Sequence, residues 1–158
     1  MKHHKFIAFN IETTSVDINT CELVKIDAIK YKNQKVKERF STFINPNKHL
    51  DNEILNILNI NQKDLYSAPQ LTQAIKEFKR FIKRYLLIGY NCQNFDIPVL
   101  SRFTKIKNKN IDVLNMAQEN LKLNSYRLHD VAKKLSLTIK DNDTENIADI
   151  YISLQNQK

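Results

Sequence analysis

The order of apolar patterns constrains this chain most. Three β-rich runs fall within its first 44 residues, and short buried strands then alternate with helical stripes. KFIAFNI (5–11) reads as a buried strand. ELVKIDAIKY (22–31) and VKERFSTFI (36–44) read as two more, joined by the polar turn KNQK. The loop INPNKHLD leads to a short helix near 52–59. Leu71, Ala74, Ile75, Phe78, Ile82 and Tyr85 then recur at helical spacing. LLIGY (86–90) reads as a buried strand, and a helix is expected from near Asp96 through IPVLSRF, with Pro98 tolerated in its first turn. IDVL (111–114) reads as a further strand. Leu128, Val131, Ala132 and Leu135 mark another helix, and Ile147, Ile150, Tyr151 and Leu154 mark the last. Strands first, then alternation, predict one α/β domain over 1–158 with a mixed β-sheet flanked by helices. In such sheets active groups gather at strand ends and helix starts, which singles out Asn10, Glu12, Asp96 and the start of the last helix.

Composition narrows the function classes. Gly89 is the only glycine, which excludes glycine-rich phosphate loops of the common kinds. No apolar stretch approaches the roughly 20 residues a membrane helix needs, and no long apolar centre marks a signal peptide. Cys21 and Cys92 have no metal-ligand spacing and imply no disulfide framework, as expected of reduced thiols in a cytoplasmic protein. The formal charge is +8, from 25 Lys and Arg against 17 Asp and Glu, which favours a polyanionic partner. A Lys- and Asn-rich composition also follows from an AT-rich genome, so charge alone does not decide the matter.

Four segments together resemble a known family. FNIETTS (9–15), GYNCQNFDIPVL (89–100), YRLHDVAKKLSL (126–137) and TENIAD (144–149) are similar, in order and spacing, to the motifs of the DnaQ-like, DEDDh-type 3′–5′ exonucleases. The resemblance runs from about residue 5 to 155 and implies a ribonuclease H-like fold. It also implies phosphodiester hydrolysis at a DNA or RNA 3′ end by a pair of Mg²⁺ or Mn²⁺ ions. Such chemistry needs several hard carboxylate oxygens around the metals. Period-two alternation puts positions 10 and 12 on one strand face, and Asp96 and Asp149 complete the set expected to hold metal. The resemblance further implies substrate contacts from Thr13, Thr14, Asn91 and Phe95. It suggests a polymerase or another nuclease as a partner; the lack of a long apolar stretch leaves no membrane expected.

Two positions depart from the family's plan. Asn10 stands where the first aspartate is expected, and Thr144 where the histidine that deprotonates the attacking water belongs. An amide offers one carbonyl oxygen but no charge, and a threonine hydroxyl is no useful proton acceptor near neutrality. Ser15 also replaces the usual glycine. General-base catalysis alone contributes roughly 10²–10⁴-fold, so both changes together imply an impaired site. Asn10 reads either as the natural residue or as a substitution of the kind used to trap a nuclease with its substrate; Thr144 reads as natural. The alternative is a pseudo-exonuclease, an inactive module that binds nucleic acid or assembles a larger machine. His129, on the YRLHD stretch, reads as a solvated helical histidine.

Overall fold

A computed structural model describes residues 3–157; the outermost residues of the domain expected over 1–158 lie outside that range. Three strands open it: β1 (Lys5–Thr13), β2 (Leu23–Lys32) and β3 (Lys35–Phe43). The turn between β2 and β3 places Asn33 and Gln34 at φ of 51° and 64°. Two left-handed residues in succession give the twist that a tight hairpin needs. Two short helices follow, α1 (Asn52–Leu58) and α2 (Gln62–Tyr66), then α3 (Leu71–Ile82) and β4 (Leu86–Gly89). The chain continues through α4 (Asp96–Ser101), β5 (Asn110–Asp112), α5 (Val113–Asn120), α6 (Leu128–Lys134) and α7 (Asp143–Asn156).

The sheet order is β3-β2-β1-β4-β5. The β1–β2 and β2–β3 pairs are antiparallel, and β1–β4 and β4–β5 are parallel. This is the mixed sheet flanked by helices that the order of patterns predicts. Alternation along β1 sends Ile7, Phe9 and Ile11 into one core with α3 and α4. Phe6 and Ala8 enter the other, with α5, α6 and α7. Asn10 and Glu12 continue the second row, so they emerge on the α7 side where β1 outruns β4. A smaller cluster of Val24, Leu50, Leu55, Ile60 and Leu65 packs α1 and α2 beside this end of the sheet.

Two expected elements take different bounds. The strand expected over 111–114 stops at Asp112 because its carboxylate accepts from Leu114 N–H at 3.0 Å and caps α5, a helix the pattern did not show. The helix through Tyr85 ends at Ile82 because Lys83 turns to φ 46°. Gly89 is needed for a close approach: a Cβ there would run into Cys92 Cβ and Sγ and lie 3.1 Å from Phe9 Cε1. Among the described residues, no helix is long and apolar enough to cross a membrane.

Candidate active site

The end of β1, the start of α4 and the start of α7 meet at one cleft. Its walls include Asn10, Glu12, Thr13, Thr14, Phe95 and Asp143. Ile54, Ile57 and Leu58 of α1 form an apolar lip together with Val16. Ile57 is 76% exposed and Val16 90% exposed. Large aliphatic side chains left in water at the mouth of a polar cleft suit a ligand with flat apolar faces.

Asp96 does not line the cleft; it is buried behind the wall residue Phe95, 4% exposed, on the first turn of α4. Ile11 N–H donates to its Oδ2 at 3.3 Å, which ties the α4 start to the part of β1 that β4 does not reach. Burial pushes the Asp96 carboxyl up to about 7; the Ile11 bond opposes this and Asp112 adds to it. Asp112 sets the loop ahead of Asp96. Besides capping α5, it accepts from Asn91 N–H at 2.8 Å and Gln93 N–H at 3.1 Å. Nothing in the strand pattern marks this role, although an aspartate just before an apolar helical run is a recognisable cap signal.

Glu12 faces Lys25, and Asn10 faces Asp27, across the β1–β2 pair. Burial raises the Glu12 carboxyl above its usual range; Lys25 pulls it back, while Asp27 and Asp143 push it further up. Glu12 Oε2 is buried without a hydrogen-bond partner among the described residues, as is Thr144 Oγ1. Asp27 is itself engaged, with Lys25 Nζ at 3.3 Å and the Ser41 hydroxyl donating to it.

The third segment arranges itself around the cap of α7. Asn142 Oδ1 accepts from Thr144 N–H at 2.8 Å and Glu145 N–H at 3.2 Å. Starting the helix there turns Thr144 inward, where it is 1% exposed, and leaves Asp143 on the cleft wall. His129 Nε2 lies 3.3 Å from Asp143 Oδ1, so the solvated histidine of the sequence reading stands at the cleft's edge with an acidic partner. Asp149 is not on the cleft wall. Lys140 and Asn146 exchange backbone–side-chain bonds of 2.8 Å, which hold Lys140 against α7, and its ammonium reaches Asp149 Oδ2 at 2.7 Å. Asn91 also lies off the cleft: at φ 55° it forms the turn after β4, and its side chain accepts from Asn94.

A family model described as exonuclease, of the RNase T type, matches residues 7–155. The chain belongs to this exonuclease family. Its DnaQ-type exonuclease domain is 29% identical over 147 residues to the DNA polymerase III subunit epsilon of Treponema pallidum, covering 87% of this chain and 68% of that one. It is also 29% identical over 127 residues to the PolC-type DNA polymerase III of Caldanaerobacter subterraneus. That match covers 80% of the exonuclease domain but 9% of the polymerase, so the chain spans under a tenth of this relative. Among solved structures, product-bound exonuclease I shares the fold at a TM-score of 0.79 and 14% identity, over 98% of this chain and 44% of that one. A 3′-exonuclease that recognises the histone mRNA stem-loop shares it at 0.81 and 15%, over 99% and 84%.

The donor set of this exonuclease domain does not fit a pair of divalent ions. Glu12 Oε2 is a free acceptor that suits one cation. Asn10 brings no charge, Asp149 is held by Lys140, Asp143 lies against His129, and buried Asp96 is taken by the Ile11 N–H. Among the described residues no three His, Cys, Asp or Glu side chains converge as metal ligands. Two hard cations at short separation require more anionic oxygen than this.

Proposed function

We propose that this chain is a 3′–5′ exonuclease-type domain that grips nucleic-acid 3′ ends but hydrolyses them several orders of magnitude more slowly than a complete site of its family. The observation that carries this reading is the pairing of Asp149 with Lys140 beside a neutral Asn10. The charge that should hold metal is lost at one position and neutralised by the chain's own ammonium at another. Binding is a separate matter. The cleft keeps hydroxyl groups at Thr13 and Thr14, and Phe95, Ile57 and Leu58 offer surfaces on which a terminal base can stack. Stacking on aromatic side chains contributes roughly 1–3 kcal/mol per base and does not depend on metal.

A second reading has its own support. The PolC-type relative carries the matching segment inside a far longer polypeptide, which suits an assembly module retained after hydrolysis is lost. One experiment separates the two. A 5′-labelled single strand, DNA or RNA, is incubated with Mn²⁺ and the wild-type chain, Asn10→Asp, or Asn10→Asp with Thr144→His and Lys140→Ala. Laddering that grows stepwise through this series supports the impaired enzyme. Silence in all three with intact binding of the strand rejects it in favour of the module. Loss of binding as well rejects both.

A further inference from the structure

At the opposite end of the sheet, two adjoining hollows share Lys83, Arg84 and Leu86. Lys5 lines one, and His3, Lys107 and Lys109 line the other. No acidic residue lines either among the described residues. Among the described residues, none of these lysines, nor Arg84, enters a salt bridge, whereas Lys25, Lys30, Arg39, Lys48 and Lys140 all do. The arrangement is built. Lys83 holds φ 46° and ψ −118°, a strained backbone for a residue with a side chain. Asn108 Nδ2 donates to the carbonyls of Lys83 at 3.1 Å and Tyr85 at 2.8 Å. That clamp brings Lys107 and Lys109 beside Lys83 and Arg84. Lys83 also borders a neighbouring hollow that Glu38 and Glu77 line. On this side, however, the like charges face one another without an acidic lining residue and repel, which an incoming anion relieves.

We propose that this basic hollow is a second contact for the phosphodiester backbone of a nucleic acid, separate from the 3′-end cleft. It rests on the reading of the chain as a nucleic-acid binder, and the cleft's own ligand does not define it. The two places lie at opposite ends of β1, whose nine residues span about 26 Å at roughly 3.3 Å per residue. A short oligonucleotide fills the cleft alone, and a longer strand reaches both.

The test compares wild type with the quadruple variant Lys83→Ala, Arg84→Ala, Lys107→Ala and Lys109→Ala. Fluorescence anisotropy with dT5 and dT20 in EDTA, across a sodium chloride series, gives the affinities. For dT20 the variant should bind at least tenfold more weakly at low salt. Its slope of log K against log salt should flatten by about 3, at roughly 0.7 per phosphate contact on a single strand. Binding of dT5 should be unchanged. Equal dT20 slopes in the two proteins, with matching circular dichroism spectra, would overturn the proposal. So would intact dT20 binding with loss of an acidic peptide such as deca-aspartate, which would make the surface a protein dock. If wild type ignores dT5 while dT20 still loses its slope in the variant, the basic site stands and the 3′-end reading of the cleft fails.

Discussion

Replacing Asp96 with asparagine should cost stability in acid and add it above neutrality. Asp96 is 4% exposed, and burial lifts its carboxyl from an ordinary 3.8 to about 7. The unfolded chain ionises this group at the ordinary value. Between about pH 4 and pH 7 the unfolded state has released the proton and the folded state has kept it. The unfolded state then binds fewer protons, so stability falls as pH rises through this window and levels off above it. A displacement of roughly 3 pK units corresponds to about 4 kcal/mol. Asparagine does not titrate, keeps an oxygen for the Ile11 N–H, and buries an amide group at a cost of roughly 1–3 kcal/mol. The variant should therefore be about 1–3 kcal/mol less stable at pH 4 and more stable by a similar amount at pH 8. Glu12 is also raised, but it is common to both proteins and drops out of the difference. Urea unfolding followed by circular dichroism at half-unit steps from pH 4 to pH 8 measures this directly, provided the denaturant slopes agree. A stability difference that stays flat across that range would refute the reasoning, because it would mean that Asp96 ionises alike in both states.

Asp112→Ala leaves three backbone N–H groups, those of Asn91, Gln93 and Leu114, without their acceptor. A loss of about 3 kcal/mol in urea unfolding is expected, and less than about 1 would show that the loop does not depend on it. Gly89→Ala should cost about 1–3 kcal/mol, since buried Cys92 and Phe9 must both give way; an unchanged melting temperature would contradict the close packing. Both cysteines are buried, and burial pushes the Cys92 thiol up to about 12. Ellman's reagent at pH 8 should thus find no reactive thiol in the folded protein and two after unfolding, whereas rapid labelling without denaturant would contradict their burial.

The sequence makes the parts of this fold with a strong period legible. The apolar run of β1, the stripe of α3 and the buried β4 all stand where their patterns put them. So do the two rows of β1, and with them the shared face of Asn10 and Glu12. What escaped depends on single side chains reaching across the chain. Asp112 ends β5 and starts α5 with one carboxylate, where β-rich IDVL suggests only a strand. Lys140 lies nine positions before Asp149, and neither helical nor strand periodicity relates residues at that distance. His129 looks solvated on α6, and only the meeting of α6 with the start of α7 brings Asp143 to it. Of the positions the family resemblance named, Asn10, Glu12, Thr13, Thr14 and Phe95 line one cleft, whereas Asn91, Asp96, Thr144 and Asp149 do not.

The cleft is founded on two unequal bodies. Its floor belongs to β1, which lies between β2 and β4 and contributes to both large cores, whereas its lip belongs to α1, held mainly by the small cluster around Leu55 and Leu65. Amide exchange should divide along this line, with Phe9 protected until global unfolding and the α1 amides opening in low-energy local fluctuations. Under the proposed function, an incoming strand should meet a softer lip over a stiffer floor. If the cleft takes nucleic-acid ends as proposed, its lip gives way to ends of differing shape while Glu12 stays fixed on β1.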